Sequence, residues 1–261
     1  MTDRPLAVVF DAPFSDRTAW AVGRTSAYPE DGRNPGDNKL DRIGPDHAPT
    51  PEGVFRARRA ADGEWHTDLV STEYAPGGFE LRPGDEVSAT CLVHDTAGSW
   101  PALWTWGRDR PGGRPQPGHG EVDLFEYHPT HPRMLELTNH VGRAAAYPPD
   151  VVTPGRPFQL RVLLGEDSVD WSVDGTPVFA DGQGVGRHWC GWLVVGISVS
   201  AGAYGHLPPD PGTDELSWRC TGLTVRRPAS GTDPGGAPPD GAAEGFPQPR
   251  TTDRRPYPTT G

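Results

Sequence analysis

The stretch GEVDLFEY, residues 120–127, places three carboxylates within six residues that otherwise favour a β-strand. Side chains alternate faces along a strand, so Glu121 and Asp123 point to one face while Glu126 falls on the opposite parity. A β-bulge at residues 124–125 would return Glu126 to the face of the other two carboxylates. We therefore predict a bulged strand with three acids on one face.

Crowded carboxylates suit nucleophilic and acid–base chemistry. A retaining glycosidase uses two carboxyl groups about 5 Å apart, one as nucleophile and one as general acid and then base. Mutual repulsion holds a proton on one member of such a set, so an acid and a base coexist at one pH. An acidic, solvated strand face has the same sequence, and the motif alone leaves both interpretations open.

A second motif, GSWPALWTWG at residues 98–107, lies just upstream. In a strand Trp104 and Trp106 share one face, and Trp100 joins them if the turn at Pro101 keeps the parity. Tryptophan can stack on the apolar face of a sugar ring, and its N–H can donate a hydrogen bond. We predict that Trp104 stacks on substrate and that Trp100 is a second contact, with core packing as the alternative for Trp100 or Trp106.

The composition indicates an all-β domain with many turns. The 261 residues include 34 Gly and 31 Pro, and only 34% are apolar. Asp174 and Gly175 predict a β-hairpin because both tolerate positive φ. The short apolar stretches, bounded by turn residues, predict strands spaced as in a sandwich or barrel: one within 6–20, then 54–58, 65–74, 86–94, 102–106, 121–127, 134–141, 158–164, 168–173, 177–180, 192–200 and 216–226.

The remaining segments are predicted to be loop or tail. Residues 28–50 consist largely of Pro, Gly, Asp and Asn and predict a long surface loop. Residues 228–261 have almost no apolar residues, so we predict one domain over 1–227 and a disordered tail over 228–261.

Charge and cysteine content exclude several classes of protein. The net charge of −11 argues against a nucleic acid or an anionic membrane as partner. The three cysteines are too few for a disulfide scaffold and lack the CxxC spacing of a zinc site. We interpret them as small buried residues, with one bridge still possible. The apolar run at 6–10 is short for a signal-peptide core, so the chain stays in the cytoplasm unless a leader is missing.

Three segments together resemble the laminarinase-type branch of glycoside hydrolase family 16: WPALW at 100–104, GEVDLFE at 120–126 and DWSVDGTPVF at 170–179. The resemblance covers about residues 10–227. It implies a two-sheet antiparallel β-jelly-roll sandwich with a concave substrate cleft. It also implies a secreted endo-glycosidase that hydrolyses internal β-linkages of a polysaccharide, with a β-1,3-glucan as the expected class. This chemistry requires no metal or organic cofactor.

The same resemblance assigns roles to individual residues. It implies that Glu121 is the nucleophile, that Asp123 is the carboxylate that tunes it, and that Glu126 is the general acid/base. His140 matches a histidine near the cleft, where it could bind a carboxylate or a sugar hydroxyl, with a purely structural role as the alternative. Trp171 is expected in the core.

The chain also departs from the family pattern. In our register Ser88, Thr90 and Leu92 replace a ladder of charged residues beside the cleft. Thr221 stands where many members have an aspartate that helps to hold calcium, so we predict no calcium. We expect a monomer that binds a polysaccharide or oligosaccharide. A lectin-like sandwich without catalysis and a transglycosylase that shares the first step remain alternatives, since fold alone does not set function.

Overall fold

The computed structural model describes residues 5–28, 31–34, 36–107 and 120–229. Over these residues it is nearly all β, with one 3-10 turn at Ala203–Gly205. The strands are β1 (Leu6–Phe10), β2 (Ala21–Val22), β3 (Asp41–Ile43), β4 (Val54–Arg59), β5 (Trp65–Thr67), β6 (Leu69–Ser71), β7 (Asp85–Leu92), β8 (Ser99–Gly107), β9 (Val122–Glu126), β10 (Glu136–Asn139), β11 (Ala144–Ala146), β12 (Phe158–Leu164), β13 (Val169–Val173), β14 (Thr176–Ala180), β15 (Gly191–Val199) and β16 (Glu215–Pro228).

The strands form two sheets, which we call sheet A and sheet B. Sheet A has the order β14-β13-β12-β7-β16-β4-β5-β3, with β1 paired to β16. Sheet B has the order β11-β10-β9-β8-β15-β6-β2. All pairs are antiparallel except β3 with β5. This two-sheet jelly-roll sandwich confirms the predicted fold class.

The main core fills the space between the sheets because alternate residues of each strand turn inward. In β12, for example, positions 158, 160, 162 and 164 are buried. Aromatic rings cross the gap between sheets, and the ring of Phe125 lies 5.4 Å from that of Trp218, edge to face. Burial of each such side chain stabilises the fold by about 1.5–3 kcal/mol. The sheets are thereby held as one body under the face that carries the acids.

Two local predictions are confirmed. Asp174 and Gly175 have φ of 49° and 77°, as the predicted hairpin requires. No disulfide joins the three cysteines, all of which lie in the described part of the chain, and Cys91 and Cys220 are buried opposite each other on β7 and β16. The interpretation of the cysteines as small buried residues is therefore correct for Cys91 and Cys220.

Two other predictions are wrong. The single strand predicted over 65–74 is interrupted at the buried Asp68, where the chain crosses from β5 in sheet A to β6 in sheet B. Strand β7 lies in sheet A between β12 and β16, so Ser88, Thr90 and Leu92 are not beside the acidic strand. Their side chains alternate with the buried core positions of β7 and lie on the outer face of sheet A.

Three short strands, β2, β3 and β11, were not predicted; β3 lies within the 28–50 loop. The predicted tail falls outside the described residues from 230 onward, and β16 continues through Pro228. In the part of the chain that the structure describes, no helix has the length and apolar character needed to cross a membrane.

Candidate active site

The acidic strand β9 carries the predicted bulge. Consecutive residues of β8 face Phe125 and Asp123, which leaves Leu124 as the extra residue. The register with β10 shifts at the same place. Because a bulge changes the parity of every later residue, Asp123 and Glu126 lie on one face of sheet B. The prediction made from the spacing of the acids is confirmed.

A tryptophan from the opposite sheet fixes this bulge. The extra residue leaves a carbonyl without its regular ladder partner, and a buried carbonyl needs a donor. The indole Nε1–H of Trp171 donates to the carbonyl of Leu124 at 3.0 Å, across the sandwich. Trp171 is buried and stacks on Phe179 with ring centroids 5.1 Å apart. Its predicted place in the core is confirmed.

The start of β9 is held by a close backbone approach. Gly120 has φ +79°, and a Cβ atom there would lie 2.4 Å from the Cα of Gly107, so only glycine fits. The Gly120 carbonyl accepts hydrogen bonds from Thr105 Oγ1 at 2.9 Å and from Trp189 Nε1 at 3.1 Å. These contacts place Glu121, the next residue, at the edge of the acidic face. Residues 108–119, which join β8 to β9, lie outside the described part.

His140 joins the first two acids. Its Nε2 lies 2.9 Å from Asp123 Oδ2 and 4.0 Å from Glu121 Oε2. Burial lowers the pKa of His140, but the hydrogen bond to Asp123 and the charges of the three carboxylates outweigh it and raise that pKa to about 9. At neutral pH the ring is therefore an imidazolium that offsets part of the negative charge of the acids.

Glu126 lies in a different environment. Its Oε1 accepts a hydrogen bond from Trp100 Nε1 at 2.8 Å. Burial, followed by repulsion from Asp123, raises the pKa of Glu126 to about 7. Burial and the charge of Glu121 also raise the pKa of Asp123. Glu126 can therefore carry a proton near neutral pH, as a general acid must.

Both remaining tryptophans of β8, Trp104 and Trp106, are buried, and for Trp106 core packing was one of the two interpretations left open. Trp104 is only 8% exposed and belongs to a second apolar cluster with Tyr28, Ile43 and Leu69, which covers this part of sheet B. Trp106 also belongs to this cluster, and its Nε1 donates to a serine hydroxyl. Little of the Trp104 ring is open to a sugar, so stacking there would require the covering residues to move.

Sequence analysis did not single out Lys39. The chain has 24 Lys and Arg residues, and Lys39 is the only lysine among them. This use of a single lysine is the signal in the sequence that could have drawn attention to it. Its Nζ donates to Tyr28 Oη at 3.2 Å and lies 4.6 Å from the ring centroid of Trp100. Burial lowers the pKa of Lys39, but the opposing effects of Tyr28, Glu126 and Asp41 are larger together. The pKa of Lys39 is therefore raised above its ordinary value.

Two groups of side chains bring possible metal donors within 4.8 Å of one another. The first group consists of Glu121, Asp123 and His140. Its donor atoms are close together because His140 is hydrogen-bonded to Asp123, so no ion is needed to explain their proximity. In the second group, made of Glu136, His128 and His206, the two imidazoles stack in parallel with centroids 3.3 Å apart. An ion lies close to the plane of a ligating imidazole, so rings stacked in this way do not converge on a common ion. We assign neither group as a metal site.

Comparison with solved structures shows the same fold in laminarinases. The catalytic domain of an endo-1,3-β-glucanase (laminarinase) from Thermotoga petrophila RKU-1 matches with TM-score 0.68 and 18% identity, covering 87% of this chain and 100% of that one. The endo-β-1,3-glucanase of Pyrococcus furiosus matches with TM-score 0.64 and 17% identity over 88% and 98% of the two chains.

A further match comes from a study of endo-acting O-glycanases with which human gut bacteria initiate mucin breakdown. Its TM-score is 0.62 at 13% identity, over 84% of this chain and 98% of that chain. No family model and no curated protein matches the sequence. The structural neighbours are thus glycoside hydrolases, and at these identities the likeness shows the fold.

Proposed function

We propose that this protein is a retaining endo-glycosidase of the laminarinase type in glycoside hydrolase family 16, acting on internal β-linkages of a polysaccharide of the β-1,3-glucan class. One observation carries the proposal: the bulge in β9 brings Glu126 onto the face of Asp123, where Trp100 binds it. A sugar-binding module has no need for this crowding, because like charges repel at a cost to stability.

In the first step Glu121 attacks the anomeric carbon while protonated Glu126 gives its proton to the leaving oxygen. The raised pKa of Glu126 supplies the acid form. Asp123 and the imidazolium of His140 lie beside the nucleophile, and their hydrogen bond orients the Asp123 carboxylate. The products of this step are a glycosyl ester at Glu121 and a released sugar chain.

In the second step Glu126, now a carboxylate, takes a proton from water, and that water attacks the anomeric carbon. The ester bond to Glu121 breaks and both carboxyl groups return to their starting states. Two displacements at one carbon give overall retention. A sugar hydroxyl in place of the water would give transglycosylation by the same residues.

The Glu121→Gln and Glu126→Gln proteins test the proposal. Both are expected to lose at least about 1000-fold in kcat on any polysaccharide that the parent cleaves, since each removes a group that reacts. Laminarin, lichenan, agarose, carrageenan, galactan and mucin O-glycans form the substrate panel, with reducing ends as the readout. Glu215→Gln, on the exposed start of β16, is the matched control.

Chemical rescue and product stereochemistry sharpen this test. Azide should restore turnover in Glu126→Ala when the leaving group is activated, and it should trap a β-glycosyl azide. NMR of the first product formed should show the β-anomer. An α-anomer would mean inversion, and wild-type turnover in both glutamine variants would remove the proposed function altogether.

A further inference from the structure

We propose that Lys39, together with Trp100, is a positioning residue for Glu126, so that the 28–50 loop belongs to the acid/base apparatus. This inference rests on the function proposed above and extends it to a residue that lies some eighty positions upstream of the acidic motif. Lys39 acts on Glu126 through the indole of Trp100 and through its own charge.

The contacts form a continuous chain from the loop to the carboxyl group. The ammonium group of Lys39 lies 4.6 Å from the centre of the Trp100 ring, within cation–π distance. The same indole donates its Nε1–H to Glu126 Oε1 at 2.8 Å. A cation over the ring face draws electron density from the indole, which strengthens its N–H as a donor to a carboxylate.

The backbone holds Lys39 in this place. The Leu40 amide donates to the Val199 carbonyl at 2.8 Å, and the Ala201 amide donates to the Asn38 carbonyl at 2.9 Å. The Val199 amide donates to the buried carboxyl group of Asp41 at 2.7 Å. Three hydrogen bonds thus tie residues 38–41 to the end of β15. The lysine is part of an ordered wall of the site.

Other titratable groups also face Glu126 or Trp100, and each has to be weighed against Lys39. Asp123 of β9 carries negative charge, and His140 beyond β10 carries positive charge. His128 and His206 pack edge-on against Trp100, and burial lowers the pKa of both, that of His206 to about 4, so they are neutral at pH 7. Glu136 is paired with Glu126 across the β9–β10 ladder.

Lys39 is therefore the cation that the loop supplies to Glu126, in addition to His140. Its charge lowers the pKa of Glu126 against the effects of burial and Asp123. A lower pKa favours the carboxylate, which the second chemical step needs as a base. Lys39 consequently favours hydrolysis of the glycosyl-enzyme more than its formation.

The test compares Lys39→Met, which removes the charge, with Lys39→Arg, which keeps it. Arg42→Met is the matched control, because Arg42 lies in the same loop and is bonded to Asp31 and Glu64 away from the acids. In Lys39→Met the alkaline limb of kcat/KM should move up by about one pH unit. At pH 7 the carboxylate form of Glu126 falls by about fivefold when its pKa rises from about 7 by one unit, so kcat should fall by about fivefold with a smaller change in kcat/KM, and KM falls as glycosyl-enzyme accumulates.

Lys39→Arg, which keeps the charge, should keep the pH profile of the parent and its ratio of kcat to kcat/KM. An unchanged alkaline limb in Lys39→Met would overturn the inference, and so would an equal shift in Arg42→Met. Circular dichroism and thermal melting check that each variant is folded.

A second measurement does not depend on activity. Protein labelled with 15N-lysine has a single side-chain Nζ signal, because Lys39 is the only lysine. The pKa of Lys39, followed by this signal, should fall in Glu126→Gln and stay unchanged in Glu215→Gln. If the pKa of Lys39 does not change in Glu126→Gln, the inference is overturned. If Glu126→Gln keeps full turnover while the Lys39 signal responds, the proposed function fails and the contact stands.

Discussion

At the scale of single residues, the positive charge of His140 offsets the repulsion among the three clustered carboxylates. Its Nε2 binds Asp123 at 2.9 Å and reaches Glu121 at 4.0 Å. Its pKa of about 9 means that it stays protonated at any pH where Glu126 changes state. A constant cation on one side leaves Glu126 as the group that titrates near neutral pH.

Replacement of His140 by Asn should therefore impair the site while leaving the fold intact. The charged hydrogen bond is worth about 1.5–3 kcal/mol, so kcat/KM at pH 6 should fall by roughly 10- to 100-fold. Without the cation the pKa of Glu126 should rise, which moves the alkaline limb upward. His94→Asn, at an exposed position after β7, is the control. A loss of less than twofold in His140→Asn would mean that the imidazole is only structural.

At the scale of secondary-structure elements, the spacing of the acids predicted the bulge because strand parity is a strict geometric rule. Other elements are determined by contacts with residues that are distant in sequence, and a local sequence pattern does not show such contacts. The apolar pattern of β7 is that of any strand buried on one face, and its partners in sheet A lie more than sixty residues away. The short β3 forms within a loop rich in turn residues because the buried Asp41 binds Thr67 and Val199.

The same distinction applies to the site. Glu121, Asp123 and Glu126 were predicted because they lie in one motif, and His140 was predicted because it matches a histidine of the family that the chain resembles. The structure brings Lys39 to them from some eighty residues upstream, through backbone hydrogen bonds between residues 38–40 and the end of β15, two strands away from β9 in sheet B. The burial of Trp104 could not be read from its motif for a related reason, since Tyr28 and Ile43 of the same loop join its apolar cluster from a distant part of the chain.

The bulge itself depends on an element of the other sheet, which makes a prediction about Trp171. Trp171→Phe keeps an aromatic ring against Phe179 but removes the donor to the Leu124 carbonyl. A buried carbonyl without a partner costs about 1–3 kcal/mol, and the unfolding free energy should fall by that amount. Because the bulge aligns Asp123 with Glu126, kcat should fall as well.

Phe179→Leu serves as the control for this prediction. It disturbs the same stack of rings while the indole N–H stays in place, so it should reduce stability with a much smaller effect on kcat. Urea unfolding and initial rates measured on both variants separate the two effects. Equal losses of kcat would show that packing, and not the hydrogen bond, maintains the bulge.

At the scale of the whole molecule, the chain passes from sheet A to sheet B at Asp68. This buried carboxyl group accepts a hydrogen bond from the Arg56 amide at 2.8 Å, and Arg58 lies 3.6 Å away. Within the described residues, its Oδ1 has no hydrogen-bond partner. Burial therefore dominates and raises the pKa of Asp68 to about 6, against the hydrogen bond and the arginine charges.

This raised pKa couples the joint between the sheets to pH. In the unfolded chain Asp68 ionises near pH 3.8 and in the folded chain near 6, so between these values the folded state binds more protons. Its contribution to stability is present below about pH 4 and is lost as the pH rises to about 6. Asp68→Asn removes this dependence and can still accept the Arg56 amide proton through its Oδ1.

Urea unfolding of the parent and of Asp68→Asn from pH 4 to pH 7 should thus give curves that diverge as the pH rises. A shift of two units corresponds to about 3 kcal/mol, which is the upper limit of the divergence. The other titrating groups are common to both proteins and cancel in the difference. Parallel curves over the whole range would show that Asp68 is ionised in the folded protein at pH 4, with the arginines outweighing its burial.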